Sequence, residues 1–267
     1  MELKMKASDL NDVIGPVKSV RKASDGDTEG LVVFKKDRWL VKSRDPSNIV
    51  LAAVKVPESA MTTYKPGGVK KLGINFTELD NFIPSGKSPV QIQYDEDTRK
   101  LYLHADGTTL ETSTVAPEYI SGSDQDFPNV PYQTKISGIA GRINSFVSKA
   151  SNVVGSATVV MEARENNFYL FSTRDNRTMV NDTTYDTFDQ ADIGECPVST
   201  RVSASVISSM YKPDGESMIH LHENAPIKLT FSNNNDIPVT YFIAPRLSKD
   251  DSAKDSVPES ALNDEDL

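Results

Sequence analysis

Among its 267 residues the chain has one cysteine, three histidines and one tryptophan. A single Cys196 can form no internal disulfide, which fits a reducing cytosol. It precedes Pro197 with no histidine nearby in sequence, so it reads as a structural thiol rather than a nucleophile. Apolar runs are short, as at Ala52–Val54 and Val159–Met161, and none is read as a membrane span. The opening MELKMK has charge but no apolar stretch behind it, which argues against a secretory signal. Neither a glycine-rich phosphate loop nor a nucleophile motif occurs, so common nucleotide-hydrolysing and acyl-transfer chemistries have no anchor here.

Positive charge is also scarce. Against 38 acidic residues stand 29 basic ones, a net charge of −9. An acidic whole argues at first sight against nucleic acid, because phosphate binding needs a positive surface. Net charge does not say where the cations sit, however. The end of the chain, 248–267, gathers Asp250, Asp251, Asp255, Glu259, Asp264, Glu265 and Asp266 and reads as a disordered acidic tail.

What the chain does contain is an internal repeat. Ala-Pro pairs close TVAP (Thr114–Pro117) and the apolar part of YFIAPRL (Tyr241–Leu247), their prolines 128 residues apart. On that register SRDPS (Ser43–Ser47) faces TRDNR (Thr173–Arg177), preceded by RWLV (Arg38–Val41) and FYLF (Phe168–Phe171). Leu10, Ile14 and Val17 match Ile139, Ile143 and Phe146, each set at i, i+4, i+7 and so on one helical face. FTELDNF (Phe76–Phe82) and ASVISSMY (Ala204–Tyr211) give a second pair of short helices, each followed by a Pro-Gly breaker. Paired strands follow, VQIQY with KLYLHA and MIHLH with IKLTF, the first alternating with period two. Each half therefore reads helix, strands, helix, strands. Two duplicated α+β domains are expected, 1–117 and 135–247, with an extended connector at 118–134. Phe127, Val130 and Tyr132 are too apolar for a purely solvated linker and are expected to pack onto the domains.

With these segments in order the chain resembles the sliding clamps, specifically the proliferating cell nuclear antigen family and its archaeal members. The likeness rests on DPSNIVLAAVKVPESAMTTY (Asp45–Tyr64), LGINFTELDNF (Leu72–Phe82), DEDTRKLYLHADG (Asp95–Gly107) and YFIAPRL, and covers about residues 1–248. It implies the DNA clamp fold, an α+β homotrimeric ring with strands outside and helices lining the hole. It implies no enzyme activity, no cofactor, no metal and no membrane contact. The expected function is that of a DNA polymerase processivity factor, encircling duplex DNA without regard to sequence. The expected partners are DNA polymerase, clamp loader, ligase and nucleases. The expected place is the cytoplasm, on the nucleoid, or the host cytoplasm for a viral protein.

The ring reconciles an acidic exterior with a basic bore. Lys18, Arg21 and Lys22 end the first helix, and Arg142 and Lys149 lie on its counterpart. Lys70, Lys71 and Lys87 flank the second helix of domain one, and Arg201 and Lys212 that of domain two. Each is a candidate phosphate contact. Gly15-Pro16 is expected to interrupt the first helix, and Glu78 and Asp80 leave the second without a cation of its own. Carried over by position, the partner pocket comprises Asn48, Ile49, Phe127, Pro128, Pro226, Ala244, Pro245, Arg246 and Leu247. Its guest is a short motif, a glutamine followed by an aliphatic residue and two aromatics. Ring closure would join edge strands near Thr108–Val115 and within Asn181–Phe188.

Other readings stay open at this stage. His220 and His222 share a strand face and could ligate a metal, although exposed strand histidines fit as well. Asp45 and Asp175 could be paired acids, but turn settings suit local hydrogen bonding better. A clamp-like monomeric decoy, binding clamp partners without encircling DNA, is the alternative function.

Overall fold

The structure, a computed structural model, describes residues 1–20, 28–120, 127–138, 140–155, 158–164, 167–174, 177–184, 191–193, 197–210, 216–232 and 236–246. Arg21, Lys22, Ile139, Asp175, Cys196, Lys212, Leu247 and the acidic tail lie outside these residues. Two compact units divide the chain. Unit one takes in Met1–Asp126 and Phe231–Tyr241; unit two takes in Phe127–Met210, Glu216–Thr230 and the chain from Phe242 onward.

Unit one opens with a strand, β1 (Glu2–Lys6), where a helix was expected to come first. Leu3 and Met5 are buried while Lys4 between them is half-exposed, the alternation of a strand with one face on a core. Then follow α1 (Ala7–Ser19), β2 (Glu29–Phe34), β3 (Arg38–Arg44), β4 (Val50–Pro57), β5 (Thr63–Lys65), β6 (Lys71–Asn75), α2 (Phe76–Phe82), β7 (Pro89–Asp95), β8 (Lys100–Ala105) and β9 (Thr108–Ser113). One sheet has the order β5-β1-β7-β8-β9 with antiparallel neighbours, which leaves β9 at an edge. In the second, β4, β3, β2 and β6 lie side by side in that order. The helices α1 and α2 pack together, and Leu10, Ile14 and Val17 are fully buried beneath α1.

Pro16 does not interrupt α1, contrary to expectation. A proline deprives the carbonyl four residues earlier of its donor, but Pro16 lies in the last turn with its ring buried, and Asp12 is only half-buried. The chain stays helical to Ser19, whose Oγ donates to the Pro16 carbonyl at 2.7 Å and shares a hydrogen bond with Tyr241 Oη at 2.9 Å. For α2 the start signal is Asn75: its side-chain oxygen accepts from the amides of Thr77 at 3.0 Å and Glu78 at 3.3 Å. Its end is set by Ile83-Pro84, where the backbone turns extended. The mid-chain TVAP is held to β6 by a two-way bond, Gly73 N to Val115 O at 3.1 Å and Val115 N to Gly73 O at 2.9 Å. Only glycine fits there, because a Cβ on residue 73 would stand 2.5 Å from Val115 O. After it, Pro117–Tyr119 forms a 3-10 turn, so the connector is not extended at its first residues.

Unit two repeats the pattern, again starting on a strand. Its elements are β10 (Thr134–Ser137), α3 (Ala140–Lys149), β11 (Thr158–Ala163), β12 (Asn167–Arg174), β13 (Arg177–Thr184), β14 (Ala191–Ile193), β15 (Val198–Ser203), α4 (Ala204–Ser209), β16 (Ser217–Leu221) and β17 (Ile227–Ser232). The last strand, β18 (Pro238–Ile243), begins in unit one and hands Phe242 and Ile243 to unit two. One run of strands has the order β14-β10-β16-β17 and the other β13-β12-β11-β15, with β13 at an edge. Helix α3 packs on α4 and runs on into a π turn, Ala150–Val154, which ends at Gly155 with φ 67. Ile143, Phe146, Val147, Ala150 and Val154 form its buried side.

Candidate nucleic-acid and partner interface

The two helix pairs differ in charge. In unit one, Lys18 is bonded to Asp80 across the α1–α2 contact, both side chains about one-third exposed. Glu78, two residues earlier and so on another side of α2, accepts from Thr112 Oγ1. Lys70, Lys71 and Lys87 are exposed but flank α2 rather than lying on it, at the start of β6 and before β7. Among the described residues, α1 and α2 thus offer a lysine already bonded to Asp80, beside the carboxylates of Asp12 and Glu78. In unit two, Arg142 and Lys149 are both exposed on α3, seven residues and hence two turns apart on one side. Arg201 is half-buried in β15, just before α4, and its carbonyl accepts the Arg246 amide at 2.9 Å. Arg201 is therefore tied to the closing segment of the fold.

The residues expected to receive a partner fall in both units. Asn48 and Ile49, in unit one, follow the SRDPS turn, and Ile49 is 39% exposed, one of the few large apolar side chains left in solvent. Asn48 takes φ 62, a left-handed conformation that asparagine tolerates. Asp45 holds the turn, its carboxylate accepting the Ile49 amide at 3.1 Å, so it serves the local hydrogen bonding its setting implied. In unit two, Phe127 stacks on Phe242, ring centroids 5.6 Å apart and planes 21° from parallel. Phe242 was not among the expected residues. It follows Tyr241, and strand geometry turns the two to opposite faces. Tyr241 points to Ser19 and meets Phe231 edge-on at 6.3 Å within unit one, which leaves Phe242 to the connector. Beyond it, Ala244 and Pro245 are half-buried, as are Pro128 and Pro226. Arg246 is exposed but pinned, its guanidinium donating to Thr158 Oγ1 at 2.9 Å.

His220 is not an exposed strand histidine but is 8% exposed. Tyr132 covers it, ring centroids 5.4 Å apart, and its Nε2 lies 3.3 Å from Thr230 Oγ1. Burial, with Lys228 and Lys135 nearby, pushes its pKa down to about 4, and burial pushes the Tyr132 phenol up to about 12. Among the described residues no three His, Cys, Asp or Glu side chains converge as a metal site.

No protein-family model matches the chain. Its fold is that of solved proliferating cell nuclear antigens. The protein of A. fulgidus, solved with the C-terminal region of FEN-1 bound, superposes with a TM-score of 0.80 at 18% identity, covering 93% of this chain and 99% of that one. That of Thermococcus kodakaraensis gives 0.79 at 14% identity, with 92% and 99% covered. The fold class is thus that of the DNA clamps. In sequence, the DNA polymerase sliding clamp of Natronomonas pharaonis is 26% identical over 231 residues, 84% of this chain and 88% of that one. The sliding clamp of Pyrococcus furiosus is 23% identical over 220 residues, 80% and 87% respectively. In sequence and in fold the chain is thus similar to the archaeal sliding clamps.

Proposed function

We propose that the protein is a DNA polymerase processivity factor, a scaffold rather than an enzyme. Three copies close head to tail around duplex DNA, the exposed edge of β9 in one subunit pairing with the edge of β13 in the next. Such a heterologous contact makes a ring when its rotation closes, and pairing two edges removes backbone groups that would otherwise invite aggregation. Inside the ring, Arg142 and Lys149 supply sequence-independent phosphate contacts, with Lys70, Lys71, Lys87 and Arg201 as further candidates. Polymerase, nucleases, ligase and clamp loader dock through a short peptide whose aromatics pack on Phe127 and Phe242, flanked by Pro128, Pro226 and Ala244–Arg246. Asn48 and Ile49 belong to the same resemblance-derived set. Its place of action is the cytoplasmic nucleoid; no helix among the described residues is long and apolar enough to cross a membrane.

The observation that carries this reading is a sequence likeness to sliding clamps over most of the chain together with the clamp fold. Light scattering over a range of protein and salt concentrations tests the ring, since assembly follows mass action. A mass three times that of the chain at high concentration supports it. A particle that stays monomeric throughout, or one that trimerises but fails to extend synthesis by a polymerase on primed circular DNA, refutes it.

A further inference from the structure

The end of the connector is fastened to β16 on the face turned away from the core. Along that strand Ser217, Ile219 and Leu221 point one way, Met218 and His220 the other. Met218 is half-buried there, whereas His220 is buried, with the ring of Tyr132 over it and Thr230 Oγ1 at its Nε2. Beside Tyr132, the Gln133 amide donates to Leu221 O at 3.0 Å, and Gln133 Oε1 accepts from the Glu223 amide at 3.3 Å. With the Phe127–Phe242 stack, these contacts fasten both ends of 127–133 to unit two.

The fastening is weak where His220 meets Tyr132. Lys135 stands directly across from His220 on β10, and Lys228 lies near it on β17. Asp192, on β14, faces Lys135 and bonds it at 3.5 Å, one strand further from His220. His222 is two residues on, and Glu223 is exposed in the turn after it. An imidazolium at His220 would lose water and meet two ammonium groups, which is why its pKa falls to about 4. On the other side of the contact, Tyr132 Oη is enclosed without a hydrogen-bond partner, as is His222 Nδ1. A buried phenol ordinarily has a partner, and one without it loses by staying buried. Tyr132 precedes β10, so it can leave His220 without breaking that strand's ladder.

We propose that Tyr132 and His220 are positioning residues for partner docking. They form a clasp that keeps the connector, and with it Phe127, in place while His220 is neutral, and protonation of His220 opens it. The proposal rests on the partner reading above and adds a regulation of that site. With the clasp open, His220 takes up its proton at the ordinary 6.5; with it closed, only near 4. Opening is therefore independent of pH above about 6.5. It becomes easier by up to about tenfold per unit as pH falls from there toward 4.

The test reads the clasp by amide hydrogen exchange in the full chain, at Gln133 and, as the reference for global opening, at the buried Leu170 of β12. Protection, corrected for the intrinsic pH dependence of exchange, is compared at about pH 7.5 and about pH 5.5. Gln133 should be less protected than Leu170 at both, and its protection should fall about tenfold between them. H220Q keeps a polar group for Thr230 and takes up no proton in this range, so it should show no such fall. Three results overturn the clasp: unchanged protection in wild type, an equal fall in H220Q, or exchange of Gln133 only together with Leu170. Should H220Q fail to fold, the two wild-type comparisons decide. The second arm titrates, by calorimetry at about pH 7.5, a synthetic peptide carrying a glutamine, an aliphatic residue and two aromatics. Y132A should bind it about fivefold more weakly, because the peptide must then order the connector as it docks. Y132F should restore binding, since the hydroxyl has no partner to lose. Equal affinity in Y132A and wild type overturns the positioning role. A wild type that binds no such peptide overturns the partner reading, while the exchange arm still decides the clasp.

Discussion

On the proposed function, removing one carboxylate should make the protein hold DNA more tightly. Lys18 and Asp80 are bonded across the α1–α2 contact, each about one-third exposed. As long as Asp80 is charged, Lys18 is compensated and contributes little to a phosphate contact. Asp80→Asn keeps the shape and removes the charge. A pair this exposed stabilises a fold by at most about 1 kcal/mol, so the variant should melt within a few degrees of wild type. Lys18 becomes available, and one added contact steepens the salt slope by about 0.9 per subunit. A drop from 200 to 50 mM salt should then raise affinity for duplex DNA by about 3.5-fold more than it does in wild type. Anisotropy titrations at four salt concentrations read this directly. Adding Lys18→Gln to Asp80→Asn should return the slope to its original value. An unchanged slope in the single variant, or a gain that survives in the double, would show that Lys18 does not face DNA.

Phe127→Ala removes the ring stacked on Phe242, and a motif peptide should lose about 2 kcal/mol or more, some thirtyfold in affinity by calorimetry, with assembly mass unchanged; equal affinity refutes the aromatic site. Gly73→Ala places a Cβ 2.5 Å from Val115 O and 2.9 Å from Ile120 Cγ1, so two backbone hydrogen bonds and the buried Ile120 must shift. We expect about 2–4 kcal/mol of lost stability in urea, and a loss under about 0.5 kcal/mol would contradict the geometry. His220 has a pKa near 4 when folded against 6.5 unperturbed, so the unfolded chain binds the extra proton first. The stability this provides is complete above about pH 6.5 and is lost as pH falls toward 4, by at most about 1.4 kcal/mol per unit before solvent screening reduces it. His220→Gln should remove that fall from the pH profile of unfolding; an unaltered profile would place the sensitivity elsewhere.

The elements readable from sequence were those whose signals are local. FTELDNF matches α2 residue for residue because Asn75 caps it and Pro84 ends it nearby. Leu10, Ile14 and Val17 marked the buried side of α1 correctly, whereas Pro16 was misjudged because its effect depends on distance from the helix end. β1 went unread although Leu3 and Met5 alternate, since a five-residue strand becomes evident only with its partners β5 and β7, about 60 and 90 residues away. Burial of His220 follows from Tyr132 lying over it, and the pairing of Arg174 with Arg177 from the register of β12 on β13. Both are facts of packing that periodicity does not encode.

The bond between Ser19 and Tyr241 joins residues 222 positions apart, and Phe231–Tyr241 belongs to unit one. A ribosome adding about 5–20 residues per second needs roughly 10–45 s to travel from the first of these residues to the second. From the synthesis of Asp126, about halfway through that interval, the first unit has most of its chain and still lacks Tyr241 at the end of α1. The leading unit therefore completes its packing only after the trailing one has been made, whatever part of it folds earlier. Its nascent form must wait, partly assembled, for its own last strand.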